Sequence, residues 1–392
     1  MVITGLGALS GPCAGADALW DALTSPTPGP THRRLVGFDP RTWLDRRAAQ
    51  RTSRFSQAAV AAYVMARDDA GAFDDDPEAV GIVMALGSGA IHEIVAAHQV
   101  AQEQGPDAVS LLHGVVTMTN AAAANVAFTA GAKGPTYALA SGCASGTHAV
   151  ADALHVIRSG RADVVWCGGS ETALQRDEGV VDPLVASLRN LRVHTPEDVS
   201  RPFDVERQGF VLSEGAAVLR LERLDAARAR GARIYAEVLG GANTIDAYDM
   251  AQPAPRGEGL QRCMRLALRD AQVEPGDVGH INTHGTGTHF NDQAESEASE
   301  DVFGLPGPAH TSTKAITGHP GAAAGALEAV AVALAVHRRL IPQTQWSVEP
   351  DTSLTLDVVR GEPRPWAPGI ALSNSVGLGG QNGTIALGPA PD

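Results

Sequence analysis

Short apolar runs alternate with longer segments of helical periodicity along the 392 residues of the chain. An uncharged apolar run of strand length is typical of a buried strand, and apolar positions that recur every three to four residues indicate a helix. The pattern predicts helices at residues 56–70, 148–157 and 260–271. It predicts strands at residues 80–85, 136–140, 164–167, 216–221, 234–239, 278–282, 370–373 and 384–387. This alternation predicts an α/β protein with layers around a largely buried sheet.

A charged segment near the middle of the chain separates two stretches of similar style. Residues 224–233 have the sequence LDAARARGAR, which predicts a surface helix. We place a boundary there, which gives an N-terminal half of residues 1–223 and a C-terminal half of residues 224–392. The most apolar run, residues 321–336, is mostly alanine and contains Glu328, so it predicts a buried helix and not a membrane span.

Composition narrows the class of protein. Hydrophobic residues make up 44% of the chain and charged residues 19%, which is typical of a globular protein with a large core. The net charge of −14 and the isoelectric point of about 5.3 disfavour nucleic acid and anionic membranes as partners. The N-terminal MVITGLG has no basic region and no signal-like apolar region, so we expect a cytoplasmic protein. One basic stretch fits either a solvated face or a docking surface for an acidic protein; its members are Arg33, Arg34, Arg41, Arg46, Arg47, Arg51 and Arg54.

The segment TYALASGCASGTHAVADALHVIRSG predicts a strand that turns into a helix at Cys143. Ser141 and Gly142 would make the turn, and Gly160 would end the helix. The N–H groups and the dipole at the start of a helix favour a thiolate, which makes Cys143 a candidate nucleophile. A buried structural cysteine fits this segment equally well. Cys167, in the middle of the apolar VVWCGG, is interpreted as a core residue.

Two histidines lie on glycine-rich loops in the C-terminal half. His284 follows a predicted strand in INTHGTGTHFND, and His319 follows a glycine in STKAITGHPGAAAG. A lone histidine is more often structural than catalytic, but two in such settings, together with the candidate nucleophile, predict a catalytic group. Thr286 and Thr288 place hydroxyls on the first loop, which suits hydrogen bonding to a linear amide-bearing chain. The cysteines are scattered, and His284 and His289 lack ligand spacing, so we expect neither a disulfide framework nor a metal site.

The N-terminal GLGALSG resembles the dinucleotide-binding fingerprint G-x-G-x-x-G that follows a strand. Gly5 and Gly7 fit this pattern, but Ser10 stands where the third glycine belongs. We therefore reject a nucleotide-binding loop at this position.

Four motifs in a fixed order carry a family resemblance that spans nearly the whole chain, from VITGLGALS to NGTIAL. They are SGCASG, HGTGT, TKAITGH with the following GAAAG, and SNSVGLGG, and residues 200–219 add a further matching block. The chain resembles the elongating β-ketoacyl-ACP synthases, and most of all the ketosynthase subunits of bacterial type II polyketide synthases. The resemblance implies a thiolase-like fold, in which two related α/β halves form five layers, αβαβα, and it implies a dimer.

The resemblance also implies a role for each residue of the site. Cys143 would take an acyl chain from an acyl carrier protein, and His284 and His319 would stabilise the enolate formed when a malonyl thioester loses carbon dioxide. That enolate would attack the Cys143 thioester in a decarboxylative Claisen condensation. The remaining implied roles are Lys314 as organiser of the histidines, Glu328 as its buried partner, Thr286 and Thr288 as pantetheine contacts, and the N–H groups of Cys143 and Leu378 as the oxyanion hole. No metal or redox cofactor is implied, because the substrates are carried on phosphopantetheine.

The chain departs from the family pattern at several positions. Val376 and Leu378 stand where the glycine-rich C-terminal loop usually has two phenylalanines, which leaves acyl-chain selection open. Pro320 and His289 differ from the usual residues, and Gln208 stands where an acid is common. By the same resemblance, the residues expected to contact the carrier protein are Arg46, Arg47, Arg51, Lys133 and Arg192.

The expected function is condensation in polyketide biosynthesis with an acyl carrier protein as partner. The dimer would form with a second copy or with a chain-length-factor-like subunit, and neither nucleic acid nor a membrane is an expected partner. The alternatives are a fatty-acid β-ketoacyl-ACP synthase II, an enzyme that only transfers or hydrolyses acyl groups, and a non-catalytic chain-length-factor-like partner. Partners of the last kind usually lack the cysteine that this chain keeps. The starter group and the number of extension cycles stay open.

Overall fold

The computed structural model describes residues 1–174, 183–367 and 369–391. The strands are β1 (Val2–Ser10), β2 (Cys13–Ala14), β3 (Val80–Ala85), β4 (Thr136–Leu139), β5 (Val164–Glu171), β6 (Gly215–Glu222), β7 (Ala236–Ile245), β8 (Val278–Asn282), β9 (Ala309–Thr311), β10 (Leu340–Ile341), β11 (Asp357–Val358), β12 (Arg364–Pro365), β13 (Ile370–Gly377) and β14 (Gln381–Gly388). The helices are α1 (Ala16–Thr24), α2 (Arg46–Gln50), α3 (Arg54–Asp69), α4 (Ile91–Gln104), α5 (His113–Val116), α6 (Ala121–Ala130), α7 (Ser145–Arg158), α8 (Pro183–Asn190), α9 (Leu224–Ala229), α10 (Glu258–Ala271), α11 (His289–Phe303), α12 (Lys314–Thr317) and α13 (Ala324–Arg338).

Two groups of strands repeat one topology. The first group has the order β1-β6-β5-β3-β4, and the second has the order β7-β14-β13-β8-β9. When the strands of each group are numbered along the chain, both orders are 1-5-4-2-3. In both groups the first two pairs are antiparallel and the next two are parallel. β1 pairs with β7 through Val2 and Ile3, which joins the two groups into one mixed sheet.

Helices cover the outer faces of both groups and fill the space between them. α3 and α6 cover the first group, and α10, with α11 beside it, covers the second. α7 and α13 pack against each other and against both groups. The layers therefore follow the order helix, sheet, helix, sheet, helix, as the family resemblance implies.

Helix α13 corresponds to the alanine-rich run of the sequence. By length and composition, Gly321–Arg338 is the one stretch within the described ranges that could cross a membrane. However, 83% of it is buried inside the protein, because α13 lies between the two groups of strands. The prediction of a buried core helix is confirmed.

The predicted elements match the structure to different degrees. Strands β3 and β8 agree residue for residue with the predictions at 80–85 and 278–282. Strand β5 continues through Gly168 and Gly169, because pairing with β6 extends it past glycines that weaken the sequence signal. The predicted surface helix at 224–233 ends earlier, at Ala229, since Gly231 turns the chain with a φ of 66°. The segment before His319, expected to be a glycine-rich loop, contains the short helix α12.

The N-terminal glycines serve packing. A Cβ on Gly7 would lie 1.9 Å from the carbonyl oxygen of Ala62, and one on Gly5 would lie 2.5 Å from that of Ala66. Both carbonyl groups belong to α3, so the glycines let this helix lie directly on β1. This is a physical reason for the glycines that involves no nucleotide.

Candidate active site

Cys143 lies in a tight turn between β4 and α7. Gly142 adopts a φ of 58°, in the left-handed region, and the hydroxyl of Ser145 donates to its carbonyl oxygen at 2.6 Å. α7 therefore begins at Ser145, two residues later than predicted, with Ala144 as its N-cap. The candidate nucleophile precedes the helix and is not part of its first turn.

His148 anchors this turn to the second group of strands. Its Nε2 lies 2.9 Å from the carbonyl oxygen of Asn382, which can only accept, so Nε2 carries a proton. In the neutral ring, Nδ1 then accepts from the hydroxyl of Ser141 at 2.7 Å. His148 therefore has a structural role, although it lies close to the nucleophile.

Burial raises the pKa of the Cys143 thiol to about 11, against the opposing effects of the Lys314 charge and the Leu378 N–H. The expectation that a helix N-terminus keeps a resting thiolate is not supported, because loss of hydration outweighs the positive groups nearby. The group is therefore a thiol at neutral pH, and its proton must leave during acylation. Cys167 lies in the middle of β5, where burial alone raises its pKa, in agreement with its interpretation as core.

The glycine-rich loop after β13 closes over Cys143. A Cβ on Gly377 would lie 3.1 Å from the Cys143 nitrogen, and one on Gly142 would lie 3.2 Å from the Leu378 carbonyl oxygen. The Leu378 N–H donates towards the Cys143 sulfur. The structure thus brings together the two backbone segments to which the resemblance gives the oxyanion hole. The aliphatic side chain of Leu378 is 44% exposed.

His284 follows β8 on a loop that Glu295 of α11 holds in place. Glu295 accepts hydrogen bonds from the N–H of His284 at 2.7 Å and from that of Gly285 at 2.6 Å. The side chain of Asn291 adds a bond at 2.9 Å, and burial raises the pKa of Glu295 to about 7 against these donors. The sequence analysis missed Glu295. The sequence signal that could have found it is the polar set Asn291, Asp292 and Glu295, which helical spacing places on one face. In the structure all three are buried on α11.

Lys314 is fully buried and connects His284 to Glu328. Its Nζ donates to the carbonyl oxygen of His284 at 2.6 Å and lies 3.2 Å from Nδ1 of the same residue. It also forms an ion pair with the carboxylate of Glu328, which accepts from the hydroxyl of Ser375 at 3.5 Å. An ammonium group can only donate, so Nδ1 accepts and the ring proton lies on Nε2. Burial and the Lys314 charge lower the pKa of His284 well below its usual value, which makes this ring a neutral Nε2–H donor.

His319 faces His284 from the loop before α13. The two ring centroids lie 5.1 Å apart with an angle of 81° between the planes. The N–H of His319 donates to the carbonyl oxygen of Val211 at 2.8 Å, and Phe210 contacts the ring with centroids 4.7 Å apart. Burial lowers the pKa of His319 well below its usual value, so this imidazole is also neutral. Its Nδ1 is buried without a hydrogen-bond partner among the described residues.

Lys314 links these residues, because it contacts His284, whose ring faces that of His319, and its charge favours the Cys143 thiolate and the neutral form of both imidazoles. The first group of strands contributes the thiol, and the second contributes His284. His319 and Lys314 come from the segment that leads into α13. In the part of the chain that the structure describes, no three His, Cys, Asp or Glu side chains are grouped so that they could hold a metal ion.

A cavity of about 550 Å³ opens at the loop that carries His284. Thr288, one of the two threonines expected to contact pantetheine, belongs to its wall, and its hydroxyl lies 3.0 Å from that of Thr286. The described residues that line it are Arg189, Arg192, His194, Pro196, Gln208, Thr288 and His289. Gln208 and His289, two departures from the family pattern, therefore line the same cavity as Arg192, which is expected to contact the carrier protein.

The five residues expected to contact a carrier protein are all exposed. Arg46, Arg47 and Arg51 lie on or directly after α2, and Arg192 lines the cavity. Lys133 precedes β4 whereas the nucleophile follows it, so the two lie towards opposite ends of this strand. The assignment of these residues to a carrier surface stays a prediction.

Comparison with known proteins identifies the family. The model of the β-ketoacyl synthase N-terminal domain matches residues 24–227, and that of the C-terminal domain matches residues 235–346. The 3-oxoacyl-[acyl-carrier-protein] synthase 2 of Synechocystis sp. is 37% identical over 356 residues, which are 89% of this chain and 85% of that protein. This chain belongs to the β-ketoacyl synthase family. Within it, the chain is an elongating synthase and therefore an acyltransferase.

Solved structures of relatives confirm the fold. The ishigamide ketosynthase/chain length factor superposes with a TM-score of 0.91 at 33% identity, over 100% of this chain and 99% of that chain. AntDE:AntF, a type II PKS acyl-carrier protein in complex with its ketosynthase bound to the hexaketide, superposes with a TM-score of 0.88 at 28% identity, over 99% of both chains. The thiolase-like fold of two related α/β halves is confirmed. The exact division between residues 223 and 224 stays a prediction.

Proposed function

We propose that this chain condenses malonyl-ACP with an acyl chain held on Cys143 in cytoplasmic polyketide biosynthesis. The observation that carries the proposal is the buried cluster of one thiol and two neutral imidazoles, closed by a loop with an aliphatic side chain at Leu378. The roles of the individual residues follow from their protonation states and their contacts.

The first step is transfer of the acyl chain to the protein. The sulfur of Cys143 forms a bond to the thioester carbonyl carbon of the acyl carrier, the bond to the carrier sulfur breaks, and the thiol proton ends on the departing thiolate. The tetrahedral oxygen receives hydrogen bonds from the N–H groups of Cys143 and Leu378. Such fixed donors stabilise the charge that develops in the transition state. A thioester product keeps the acyl carbon reactive for the next step.

The second step is decarboxylation and carbon–carbon bond formation. The bond to the malonyl carboxylate breaks, carbon dioxide leaves, and the electron pair moves towards the thioester oxygen. Nε2–H of His284 and the imidazole of His319 donate to that oxygen, and loss of one such donor typically costs about 10²–10³ in rate. The enolate carbon then attacks the Cys143 thioester, and the sulfur leaves. Lys314, held by Glu328, keeps the proton of His284 on Nε2. These steps use protein groups and the carrier's phosphopantetheine, and they need no resident cofactor.

The polyketide assignment is supported by the residues beside the nucleophile. Leu378 replaces one of the usual phenylalanines in the loop that closes over Cys143, and its smaller side chain leaves room for a bulky, oxygen-rich chain at the thioester, whereas Val376 packs under α10. Two structural relatives carry polyketide-type descriptions. Fatty-acid elongation is the second candidate, because the curated relatives are named 3-oxoacyl-[acyl-carrier-protein] synthase 2.

Product analysis separates the two candidates. The purified chain is incubated with malonyl-loaded carrier protein, with and without a chain-length-factor-like subunit encoded beside it, and the carrier-bound products are identified by mass spectrometry. We expect chains with several unreduced keto groups. Products that have grown by a single two-carbon unit, from saturated primers alone, would assign the chain to fatty-acid elongation.

Two further measurements address the remaining alternatives. Decarboxylation of malonyl-carrier by the acylated protein is expected for a condensing enzyme, and its absence would leave only acyl transfer or hydrolysis. An acyl adduct on Cys143 is expected by mass spectrometry, whereas a chain-length-factor-like partner would show none. Cys143→Ala serves as the control in both assays.

We propose an acyl carrier protein as partner and a dimer with either a second copy or a chain-length-factor-like subunit. Arg46 and Arg192 are exposed and offer positive charge for the acidic surface of a carrier. Charge reversal, Arg46→Glu with Arg192→Glu, should raise the KM for the carrier substrate and weaken its dependence on salt. Carrier-dependent turnover equal to that of the wild type would remove both residues from the docking surface.

A further inference from the structure

His194 is a buried histidine that the catalytic mechanism does not use. It is 5% exposed, and its Nε2 has no hydrogen-bond partner among the described residues. Nδ1 lies 2.7 Å from the carbonyl oxygen of Thr195. A carbonyl oxygen can only accept, so Nδ1 carries a proton, and in the neutral ring Nε2 is a free acceptor. Burial lowers the pKa of His194, which favours this neutral form.

The cavity described above offers space for a ligand beside this acceptor. His194 belongs to its wall together with Thr288, Gln208 and the cations Arg189 and Arg192. Within the described ranges the lining contains no carboxylate. A buried acceptor without a partner destabilises the protein, so a ligand that supplies an N–H recovers that cost.

The backbone connects this cavity to the catalytic histidines. His194 pairs with Phe210 in a parallel bridge, and Leu212 pairs in the same way with His319. The ring of Phe210 lies 6.3 Å from that of His194 and 4.7 Å from that of His319, centroid to centroid. Phe210 therefore contacts both imidazoles, and His194 lies farther from His319 than Phe210 does.

We propose that His194 Nε2 accepts a hydrogen bond from the outer amide N–H of the phosphopantetheine arm, while Arg189 and Arg192 receive its phosphate. The inference rests on the proposed function, because it needs a substrate carried on that arm. The amide is the one farther from the sulfur, since His194 lies farther from His319 than Phe210 does. His194 is thus a positioning residue that selects substrates by the length of their thioester arm.

Two substrates of different length test this assignment. Acylation of Cys143 is followed by mass spectrometry with an acyl-phosphopantetheine thioester, which has both amides, and with an acyl-N-acetylcysteamine thioester, which has only the inner one. His194→Asn keeps a donor for the Thr195 carbonyl and removes the Nε2 acceptor. It should raise the KM for the long substrate relative to the KM for the short one by about tenfold, the effect of one hydrogen bond.

Two variants separate recognition from a structural effect. His194→Gln restores an acceptor near the Nε2 position and should return the KM ratio to within about threefold of the wild type. His155→Asn changes an exposed histidine on α7 and should leave both KM values unchanged. Arg189→Gln should raise the KM for acyl-phosphopantetheine, but not for the acyl-pantetheine thioester that lacks the phosphate.

The outcomes distinguish this inference from the proposed function. An unchanged KM ratio in His194→Asn, or an equal rise for the long and short substrates, overturns the role of His194 even if Cys143 is acylated normally. Failure of the wild-type protein to acylate Cys143 from either thioester overturns the proposed function itself.

Discussion

Replacement of Lys314 by methionine tests how the cluster sets the protonation of His284. The change removes a fully buried cation that contacts the Glu328 carboxylate, the His284 carbonyl oxygen and His284 Nδ1. It leaves the carboxylate of Glu328 buried without its partner, and breaking such a pair typically costs about 3–5 kcal/mol of unfolding free energy. It also removes the donor that keeps the proton on Nε2, so decarboxylation should slow by about 10²–10³.

The double variant Lys314→Met/Glu328→Gln separates the two effects. A neutral amide removes the unpaired charge, so most of the lost stability should return, although the acceptors on His284 stay unsatisfied at about 1–3 kcal/mol. The decarboxylation rate should stay low, because Nδ1 still lacks its donor. Denaturant unfolding measures the first effect, and release of carbon dioxide from malonyl-carrier measures the second.

A matched control is Arg223→Met, which breaks the exposed ion pair with Asp225 and should leave both the Tm and the rate unchanged. The reasoning about His284 fails if the double variant recovers wild-type decarboxylation. The reasoning about burial fails if Lys314→Met is as stable as the wild type.

Three further predictions concern single sites. Because burial raises the pKa of Cys143 to about 11, its alkylation by iodoacetamide should keep rising about tenfold per pH unit from about pH 7 to pH 9, and a plateau below about pH 8 would contradict this. Gly7→Ala should lower the Tm strongly or prevent soluble expression, because its Cβ would lie 1.9 Å from the Ala62 carbonyl oxygen, whereas Gly114→Ala, with nothing within 4 Å, should not. His280 has its pKa lowered to about 3 by burial, so only the unfolded chain takes up its proton, and stability is lost as the pH falls from about 6.5 towards 3. The Tm of His280→Gln should therefore fall less than that of the wild type between about pH 6.5 and pH 4.5; parallel curves would exclude this group as the cause.

The sequence predicted the elements of the fold well where hydrophobicity alone decides them. β3 (VGIVMA) is almost wholly apolar and β8 (VGHIN) runs directly into the HGTGT loop, and both ends of each were predicted correctly. β5 was predicted too short because Gly168 and Gly169 carry no apolar signal, and only pairing with β6 shows that the strand continues. The turn at Gly142 was predicted correctly, but the start of α7 was placed two residues too early, because Cys143 and Ala144 stay outside the helix.

The candidate site, like the fold, was predicted only in part. The motifs identified Cys143, His284, His319 and Lys314, and the structure brings all four together. The raised pKa of the thiol was not foreseen, because burial depends on the loop around Gly377, which lies far away in the chain. His194 and Glu295 were missed for a related reason. His194 is notable because its own Nε2 has no partner among the described residues, and Glu295 because it accepts from two backbone N–H groups. Neither feature can be read from the sequence.

The active site needs both groups of strands, although the two groups share one strand order. The thiol follows the third strand of one group, and His284 follows the second strand of the other, so the reacting atoms break the internal symmetry of the scaffold. A fragment that ended after β6 would keep the sulfur but would leave the inner face of α7 uncovered by α13. Such a fragment would lack both the imidazoles and half of its own interior, so loss of folding and loss of catalysis would coincide.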